Sequence, residues 1–498
     1  MASDTNTTYD YIVIGGGTAG CVLASRLLER QPSLSVLVIE AGSDITNHPH
    51  VFKPLEAALL HFSDIDFRYF TVPQKHLDNK PRYVCGVKAL SGAITINAGG
   101  WIRGDSLDYD EWAQQAGDDR WTYNGLLPYF RRSEHHYDPN ADPKQHGFEG
   151  PMFTSSVTTS GRKYPLRDTI LKAWKSLGLK EIADANNGHP QGIAELIENR
   201  RDGLRQLTSV VYPLTRAQIM TETMVHRILL NDGKQGKVAS GVELADGRRL
   251  YVKAGGEVLL CGGAYRSPQV LMLSGIGDKV ELAKHGIPQQ VDLPGVGKNF
   301  HDHQMIFRYW KLRHPEKGLA MGSPAFADPA FEGGNPADWL ATMTVPQEGL
   351  KAAITITLES KDPMAAPVID PNYCATEADR FVMREGWRVQ SRLMLESPEG
   401  KKLVAEEILP EGHQCLASDA SDKDIDKRII IGGVSCSHPG ASCSMGKVVD
   451  GSCKVYGVEG LRVVDASVIP VPLAAHYQAP VFALAEQAVD IILAEKRS

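Results

Sequence analysis

A short glycine-rich turn near the start of the chain restricts its fold more than any other feature. The apolar run Tyr11–Ile14 leads into Gly15-Gly16-Gly17-Thr18-Ala19-Gly20, which has the G-x-G-x-x-G spacing, and a helical pattern continues to Arg30. A second apolar run ends in Glu40, twenty residues beyond Gly20. A strand, this turn, a helix and a second strand ending in an acidic residue predict a Rossmann-like dinucleotide-binding unit.

Each glycine of that pattern has a physical purpose in a dinucleotide site. Gly15 permits the tight turn, Gly17 lets the backbone approach a pyrophosphate, and Gly20 lets the helix pack on the strand. The free N–H groups of the first helical turn, at Thr18 and Ala19, favour phosphate. Glu40, followed by Ala41, is placed to accept hydrogen bonds from an adenosine ribose. The motif does not choose between FAD and NAD, and a glycine turn without a ligand remains the alternative.

Length and composition set the broad class. A chain of 498 residues predicts about two or three domains. The net charge of −7 provides no basic surface for nucleic acid and no polybasic membrane patch. No apolar run reaches the roughly 18–20 residues of a membrane helix, and no secretory signal precedes the first strand. We therefore expect an intracellular, cytoplasmic protein whose 8 scattered cysteines are free thiols.

Five later segments carry a family resemblance. They follow one another in order along the chain and are 263–277, 292–303, 437–446, 461–470 and 475–480. The first reads GAYRSPQVLMLSGIG and the last reads AHYQAP. Together they resemble the glucose–methanol–choline (GMC) oxidoreductases, flavoenzymes that use FAD.

This resemblance implies an α/β fold in which a Rossmann-like FAD-binding domain is combined with a discontinuous α+β substrate-binding domain. The FAD-binding domain is expected at 9–150, 200–303 and 432–498, and the substrate-binding domain at 151–199 and 304–431. The stretch from Gln304 to Ile431 is the least family-like. Its Gly- and Pro-rich tract from Gly318 to Asp338 predicts a loop.

The resemblance also implies the chemistry. His438 and His476 match the two histidines that face the reactive edge of the flavin. A neutral imidazole suits removal of a hydroxyl proton, because its ordinary pKa of about 6.5 lies near working pH. We expect His438 to be the general base and His476 to hold the substrate oxygen, although the two roles are exchangeable. The substrate is then a small-molecule alcohol, with dioxygen or another electron acceptor.

Further cofactor contacts follow from the same matches. Asp465 is expected near the ribityl–phosphate chain, with a local helix cap as its alternative role. The run His301-Asp302-His303 invites a metal interpretation, but the family accounts for it without an ion, and we predict no metal site. The remaining positions carried over as FAD contacts are Gly92, Asn97, Ala466, Gln478 and Pro480, together with Val225 at the adenine.

One segment departs from the family pattern. Where the family reads Gly-Lys-x-Leu-Gly-Gly-Ser-Ser, residues 87–94 read VKALSGAI, so two hydroxyls are replaced by Ala93 and Ile94. No histidine lies between residues 82 and 97, which implies dissociable FAD. The apolar pair, with AHYQAP resembling aryl-alcohol oxidases, favours an aromatic or other hydrophobic primary alcohol. A flavin-retaining lyase or cyclase, an acceptor-dependent dehydrogenase and a non-catalytic flavin-binding protein remain alternatives.

Overall fold

The fold is built on a mixed sheet of 8 strands. The computed structural model describes residues 7–234, 236–319, 337–344 and 355–496. The sheet path is β3-β2-β1-β6-β5-β4, with β8 paired to β6 and β7 paired to β5. The strands are β1 (Thr8–Ile14), β2 (Val36–Ile39), β3 (Gln218–Met220), β4 (Val225–Gly233), β5 (Gly236–Leu244), β6 (Arg249–Leu260), β7 (Val458–Glu459) and β8 (Leu461–Val463).

One half of this sheet is parallel and the other is antiparallel. β1 pairs in parallel with β2 and β6, whereas β4, β5 and β6 form an antiparallel meander. Tyr11, Ile12 and Val13 are fully buried, as expected for a parallel strand covered on both faces. Helix α1 (Thr18–Arg30) follows β1 directly. The predicted strand, turn, helix and second strand are therefore confirmed.

The longer helices of the described chain are spread along the sequence. They are α1, α2 (Ser106–Ala116), α3 (Tyr123–Ser133), α4 (Arg167–Ser176), α5 (Gly263–Leu273), α6 (Glu377–Ser391), α7 (Asp422–Gly432) and α8 (Gln478–Glu495), with shorter turns between them. α8 packs against α1 and α3 and is buried along most of its length. Inside it, the fully buried Glu486 accepts hydrogen bonds from Arg26 (2.8 Å) and from the Tyr212 hydroxyl (3.0 Å). These bonds compensate its charge and hold α8 in place.

Two-stranded sheets occupy the rest of the described chain. Gly192–Glu195 pairs with Trp339–Thr342, and Tyr309–Leu312 pairs with Val404–Ile408. Gln304–Ile306 pairs antiparallel with Gly433–Ser435. This last pairing places residues 301–303 beside residues 436–438, although they are far apart in sequence.

Apart from Thr8 at the start of β1, the strands of the large sheet fall within the ranges expected for the FAD-binding domain, while the division into two domains stays a prediction. Most of the predicted loop from Gly318 to Asp338 lies outside the described residues. Among the helices that are described, none combines the length and apolar character needed to cross a bilayer.

Candidate active site

The glycines of the first turn are required by close backbone contacts. Gly15 has a φ of +99°, and a Cβ there would lie 2.4 Å from the Cys261 carbonyl oxygen. A Cβ on Gly20 would lie 2.0 Å from the Gly15 carbonyl oxygen. At Gly17 a Cβ would meet only the Gly92 Cα, at 3.8 Å, and no side chain caps the helix that begins there. This open, uncapped helix start suits a pyrophosphate.

The expected ribose end lies at the edge of β2. The Glu40 carboxylate accepts hydrogen bonds from the amides of Gly16 (2.9 Å) and Gly42 (2.8 Å), and burial raises its pKa to about 7. The Thr223 amide donates to the Glu40 carbonyl oxygen (2.9 Å), which brings the start of β4 and Val225 to this edge. A cavity of about 400 Å³ opens here, lined by residues that include Ala41, Thr223, Met224 and Leu244.

The segment from Gly92 to Gly100 connects this turn with a pair of histidines. At one end, a Cβ on Gly92 would lie 2.7 Å from the Gly17 Cα, and at the other a Cβ on Gly100 would lie 2.4 Å from His476 Nδ1. Between them, the Asn97 amide donates to Gln478 Oε1 (3.1 Å), and the Gln478 amide donates to the Gly100 carbonyl (2.6 Å). One continuous segment thus extends from the nucleotide turn to the start of α8.

The unusual sequence of this segment has local explanations. Ser91 takes the place of a family glycine and has a φ of +86°, and its hydroxyl donates to the Ser209 hydroxyl (2.8 Å). Ile94 is fully buried and belongs to the main hydrophobic core, so it does not make a pocket more apolar. Ala93 is exposed. Of the two residues from which an apolar pocket was predicted, only Ala93 is therefore placed where it could line one.

A buried arginine that the motifs did not reveal holds this segment. Arg205 donates to the carbonyl oxygens of Ile94 (2.6 Å), Asn97 (2.7 Å) and Val51 (2.9 Å), and to Asn97 Oδ1 (3.1 Å). Burial lowers its pKa to about 9. A guanidinium presents five N–H donors in a fixed plane, so it can bind several carbonyls at once. Arg205 therefore fixes the backbone of this segment through several carbonyl oxygens at once.

The two histidines predicted to be catalytic lie together. The ring centroids of His438 and His476 are 4.9 Å apart, with an angle of 44° between the planes. His438 follows the strand Gly433–Ser435, and His476 precedes α8. Within the described chain, neither ring nitrogen of His476 has a hydrogen-bond partner. Both rings thus keep a nitrogen free to bind a hydroxyl group.

Burial keeps these imidazoles neutral. It lowers the pKa of His476 to about 4 and that of His438 well below its ordinary value. The pKa of His438 is lowered further by repulsion from His476 and His303 if these are charged. A neutral imidazole carries one bare nitrogen, which can accept a proton. The site is therefore in the basic form at neutral pH.

The three side chains of the His301-Asp302-His303 run form hydrogen bonds with different partners. His301 Nε2 lies 2.6 Å from the Tyr477 hydroxyl, and His303 Nδ1 lies 2.9 Å from His438 Nδ1. Asp302 accepts hydrogen bonds from the His438 amide (2.8 Å) and from the hydroxyls of Tyr373 (2.5 Å) and Ser435. The run thus anchors the loop that carries His438.

The Asp465 carboxylate is anchored by three hydrogen bonds. It accepts hydrogen bonds from the Gly263 amide (2.9 Å), the Ser267 hydroxyl (2.6 Å) and the Ser467 amide (2.7 Å). It thereby caps α5 and the short helical turn Ala466–Val468. The capping role weighed for this residue is present, while its contact with FAD stays a prediction, as does that of Ala466. Pro480 is buried in the first turn of α8.

A second group of side chains of the types that bind metals is held together by hydrogen bonds within the protein. The ligand atoms of His61, Asp66 and Cys85 all lie within 4.8 Å of one another. The Tyr83 hydroxyl lies among them, donating to Asp66 (2.5 Å) and lying 2.9 Å from His61 Nδ1. Burial raises the pKa of the Cys85 thiol to about 12. The hydrogen bonds through Tyr83 account for this cluster.

A Rossmann-type turn joined by one segment to a pair of neutral histidines defines a dinucleotide-dependent oxidoreductase. Two GMC oxidoreductase profiles match residues 9–305 and 352–485 of the sequence. The chain belongs to the GMC oxidoreductase family, and its cofactor is FAD. The stretch from 306 to 351, which neither profile covers, lies in the region judged least family-like.

Relatives and solved structures agree with this assignment. The GMC-type oxidoreductase acuG of Aspergillus aculeatus is 40% identical, with 98% of this chain and 99% of that protein covered. An oxygen-dependent choline dehydrogenase of Chromohalobacter salexigens is 33% identical, with 98% and 95% covered. The structure of formate oxidase from Aspergillus oryzae RIB40 superposes with a TM-score of 0.85 at 26% identity, over 100% of both chains.

Three residues of the site escaped the sequence analysis. His303, Gly100 and Arg205 act through contacts between segments far apart in the chain, at His438, His476 and Asn97 respectively. For His303 a signal existed, because it stands in the segment 292–303 that resembles the family, although no role was predicted for it. For Gly100 and Arg205 the sequence offers no comparable pattern.

Proposed function

We propose that this protein oxidises an alcohol to a carbonyl compound, with His438 as the general base. The observation that carries the proposal is the pair of neutral imidazoles, 4.9 Å apart between ring centroids, at the end of the segment that begins on the nucleotide turn. A flavoenzyme fold with a base at this place matches alcohol oxidation, in which a hydroxyl proton must leave together with the hydride.

The residues divide this work. His438 accepts the hydroxyl proton on its free ring nitrogen, and His476 holds the substrate oxygen by a hydrogen bond. His476 is kept in place by Gly100, where any side chain would collide with its ring. Bound FAD supplies the hydride acceptor at its N5 atom. Because the pKa values of both histidines are lowered by burial, a proton taken up during the reaction is readily released again.

The cofactor would be held along the connecting segment. Gly15, Gly17, Thr18, Ala19 and Gly20 would face the pyrophosphate, Glu40 and Ala41 the ribose, and Val225 the adenine. Gly92, Asn97, Asp465, Ala466, Gln478 and Pro480 would hold the flavin half. We further propose that FAD is dissociable, since the sequence offers no histidine at residues 82–97 and the Cys85 thiol stays protonated. The domain ranges given above are part of the same proposal.

For the substrate we propose a hydrophobic, preferably aromatic, primary alcohol. The support is the sequence AHYQAP at 475–480 together with the exposed Ala93. The related proteins include an oxygen-dependent choline dehydrogenase and a formate oxidase, so substrates vary within the family. A panel of aryl, alkyl and sugar alcohols, extended by choline and formate, tests the choice directly.

The first experiment uses the purified yellow protein under anaerobic conditions. We expect an aromatic alcohol to bleach the flavin absorbance and His438→Ala to slow this reduction by about 10²–10⁴-fold while FAD stays bound. His189→Ala, a change at an exposed histidine, is the matched control and should reduce at the wild-type rate. A colourless protein that does not take up FAD, or an undiminished rate in His438→Ala, would contradict the proposal.

A second experiment identifies the acceptor. Oxygen consumption in an electrode during turnover would indicate an oxidase, whereas turnover only with an added dye or quinone would indicate a dehydrogenase. If none of the alcohols, choline or formate bleaches the flavin, the alcohol-oxidising function is rejected, and a non-redox lyase or cyclase becomes the function to assay.

A further inference from the structure

The His303 side chain makes a contact that the mechanism above does not use. Its Nδ1 atom lies 2.9 Å from Nδ1 of His438, and the two rings are nearly perpendicular, at 89°. Two imidazole nitrogens this close form a hydrogen bond only if one carries a hydrogen and the other is bare. The direction of this bond therefore fixes which nitrogen of His438 is left to act as a base.

The proposed function determines that direction. Nδ1 of His438 is occupied by His303, so Nε2 is the ring nitrogen of His438 that is left to accept a proton. A neutral imidazole carries a hydrogen on one nitrogen and none on the other. If His438 is the base, its Nδ1 therefore carries the hydrogen and donates to a bare Nδ1 of His303. Burial lowers the pKa of His303 to about 4, so that ring is neutral and can accept the bond.

We propose that His303 is a positioning residue that holds His438 in the tautomer with a bare Nε2, ready to take the hydroxyl proton. This inference rests on the proposed function. When the proton moves, the substrate O–H bond breaks and an N–H bond forms at His438 Nε2. The Nδ1–H of the resulting imidazolium stays hydrogen-bonded to His303, which stabilises the positive charge. His303 itself gains and loses no proton in this step.

The neighbouring Asp302 supports the same arrangement from the backbone. Its carboxylate accepts a hydrogen bond from the His438 amide (2.8 Å), while its other oxygen accepts from Tyr373 (2.5 Å). His438 is thus held by consecutive residues, at its main chain by Asp302 and at its ring by His303. Orientation of a reactive ring from both ends limits its rotation and favours one productive geometry.

The test compares two isosteric substitutions. His303→Asn keeps a carbonyl oxygen where Nδ1 stood, whereas His303→Leu has the same shape without an acceptor. We expect His303→Leu to lower the rate of flavin reduction by about 10–100-fold with FAD content and substrate KM nearly unchanged. His303→Asn should recover most of that loss. Equal rates in the two variants, or a wild-type rate in His303→Leu, would overturn the proposal, since a packing role does not distinguish them.

A direct measurement separates this inference from the proposed function. Nitrogen-15 spectra of histidine-labelled holoprotein at pH 7 report the tautomer of each ring without any substrate, and His438→Ala assigns the signal. We expect a protonated Nδ1 and a bare Nε2 at His438, with the bare form lost or mixed in His303→Leu. The opposite tautomer in the wild type would reject the inference even if alcohol oxidation were established.

Discussion

The nucleotide turn and the histidine site are built in opposite ways. The turn is contiguous, and its geometry follows from residues 15–20, where a Cβ on Gly20 would lie 2.0 Å from the Gly15 oxygen. The histidine site is assembled from segments at 97–100, 301–303, 435–438 and 476–478, which meet only in the folded protein. Damage to the turn should therefore remove the cofactor, whereas a change at the histidine rings, or at Gly100 and His303 beside them, should remove chemistry and leave the cofactor bound.

The largest effect is expected at the turn. In Gly20→Ala the new methyl group collides with backbone atoms that cannot move aside, so we expect loss of bound FAD and a fall in the free energy of unfolding of about 1–3 kcal/mol or more. FAD content and urea denaturation measure both. Gly386→Ala, inside α6 with nothing within 4 Å of the added methyl, is the control and should gain up to about 1 kcal/mol. A yellow Gly20→Ala protein of normal stability would contradict this view of the turn.

A smaller and more selective effect is expected at Gly100. A methyl group there would lie 2.4 Å from His476 Nδ1, and the ring has to shift. Since a displacement of about 1 Å can lower a rate about 100-fold, we expect kcat of Gly100→Ala to fall by about 10–100-fold. The visible spectrum should show full FAD occupancy. If Gly100→Ala instead loses FAD and keeps its rate per bound flavin, the separation between the two regions is wrong.

The buried groups of the histidine site also predict how the stability of the protein depends on pH. A histidine of ordinary pKa, about 6.5, is protonated in the unfolded chain on acidification, but burial lowers the pKa of His476 and of His303 to about 4 in the folded protein. The unfolded state then binds more protons, so stability is lost as pH falls from about 6.5 to 4, by at most about 1.4 kcal/mol per pH unit for each. Asp302, with its pKa raised to about 6, has the opposite sign and offsets one of them.

Activity should respond at lower pH than for an ordinary histidine base. Because the rings remain neutral, kcat/KM is expected to be flat from pH 8 to about pH 5 and to decline only below that. A pH–rate profile in parallel with urea unfolding at each pH checks both statements. An acid limb centred near 6.5 would show that the base is exposed to bulk water.

The smallest effect is expected at Ser91, beside the turn. A φ of +86° destabilises a non-glycine residue by about 1 kcal/mol. The hydrogen bonds between the Ser91 hydroxyl and Ser209 stabilise the fold by about the same amount. Ser91→Gly should therefore change the free energy of unfolding by less than about 1 kcal/mol, but Ser91→Ala should destabilise by about 1–2 kcal/mol. Chemical denaturation of the two variants measures both free energies of unfolding. A Ser91→Ala variant as stable as Ser91→Gly would refute the strain argument.

The difference between the contiguous turn and the assembled histidine site also explains which features could be predicted from the sequence. The strand, turn and helix at 8–30 follow from local spacing, and the placement of His438 beside His476 followed from the family motifs. The role of His303 required the pairing of Gln304–Ile306 with Gly433–Ser435, which no local pattern reveals. Ile94 was misjudged for a related reason, because a residue's neighbours in sequence do not show whether it points into the core.

The Gly92–Gly100 segment has an evolutionary consequence. It packs against the Gly17 backbone at one end and against the His476 ring at the other, so its length sets the distance between the nucleotide turn and the catalytic histidines. Adding or deleting one residue in it would displace one of these two contacts. Lineages related to this protein should therefore vary freely in length across 306–351, where the family profiles leave a gap, while these nine residues keep their number.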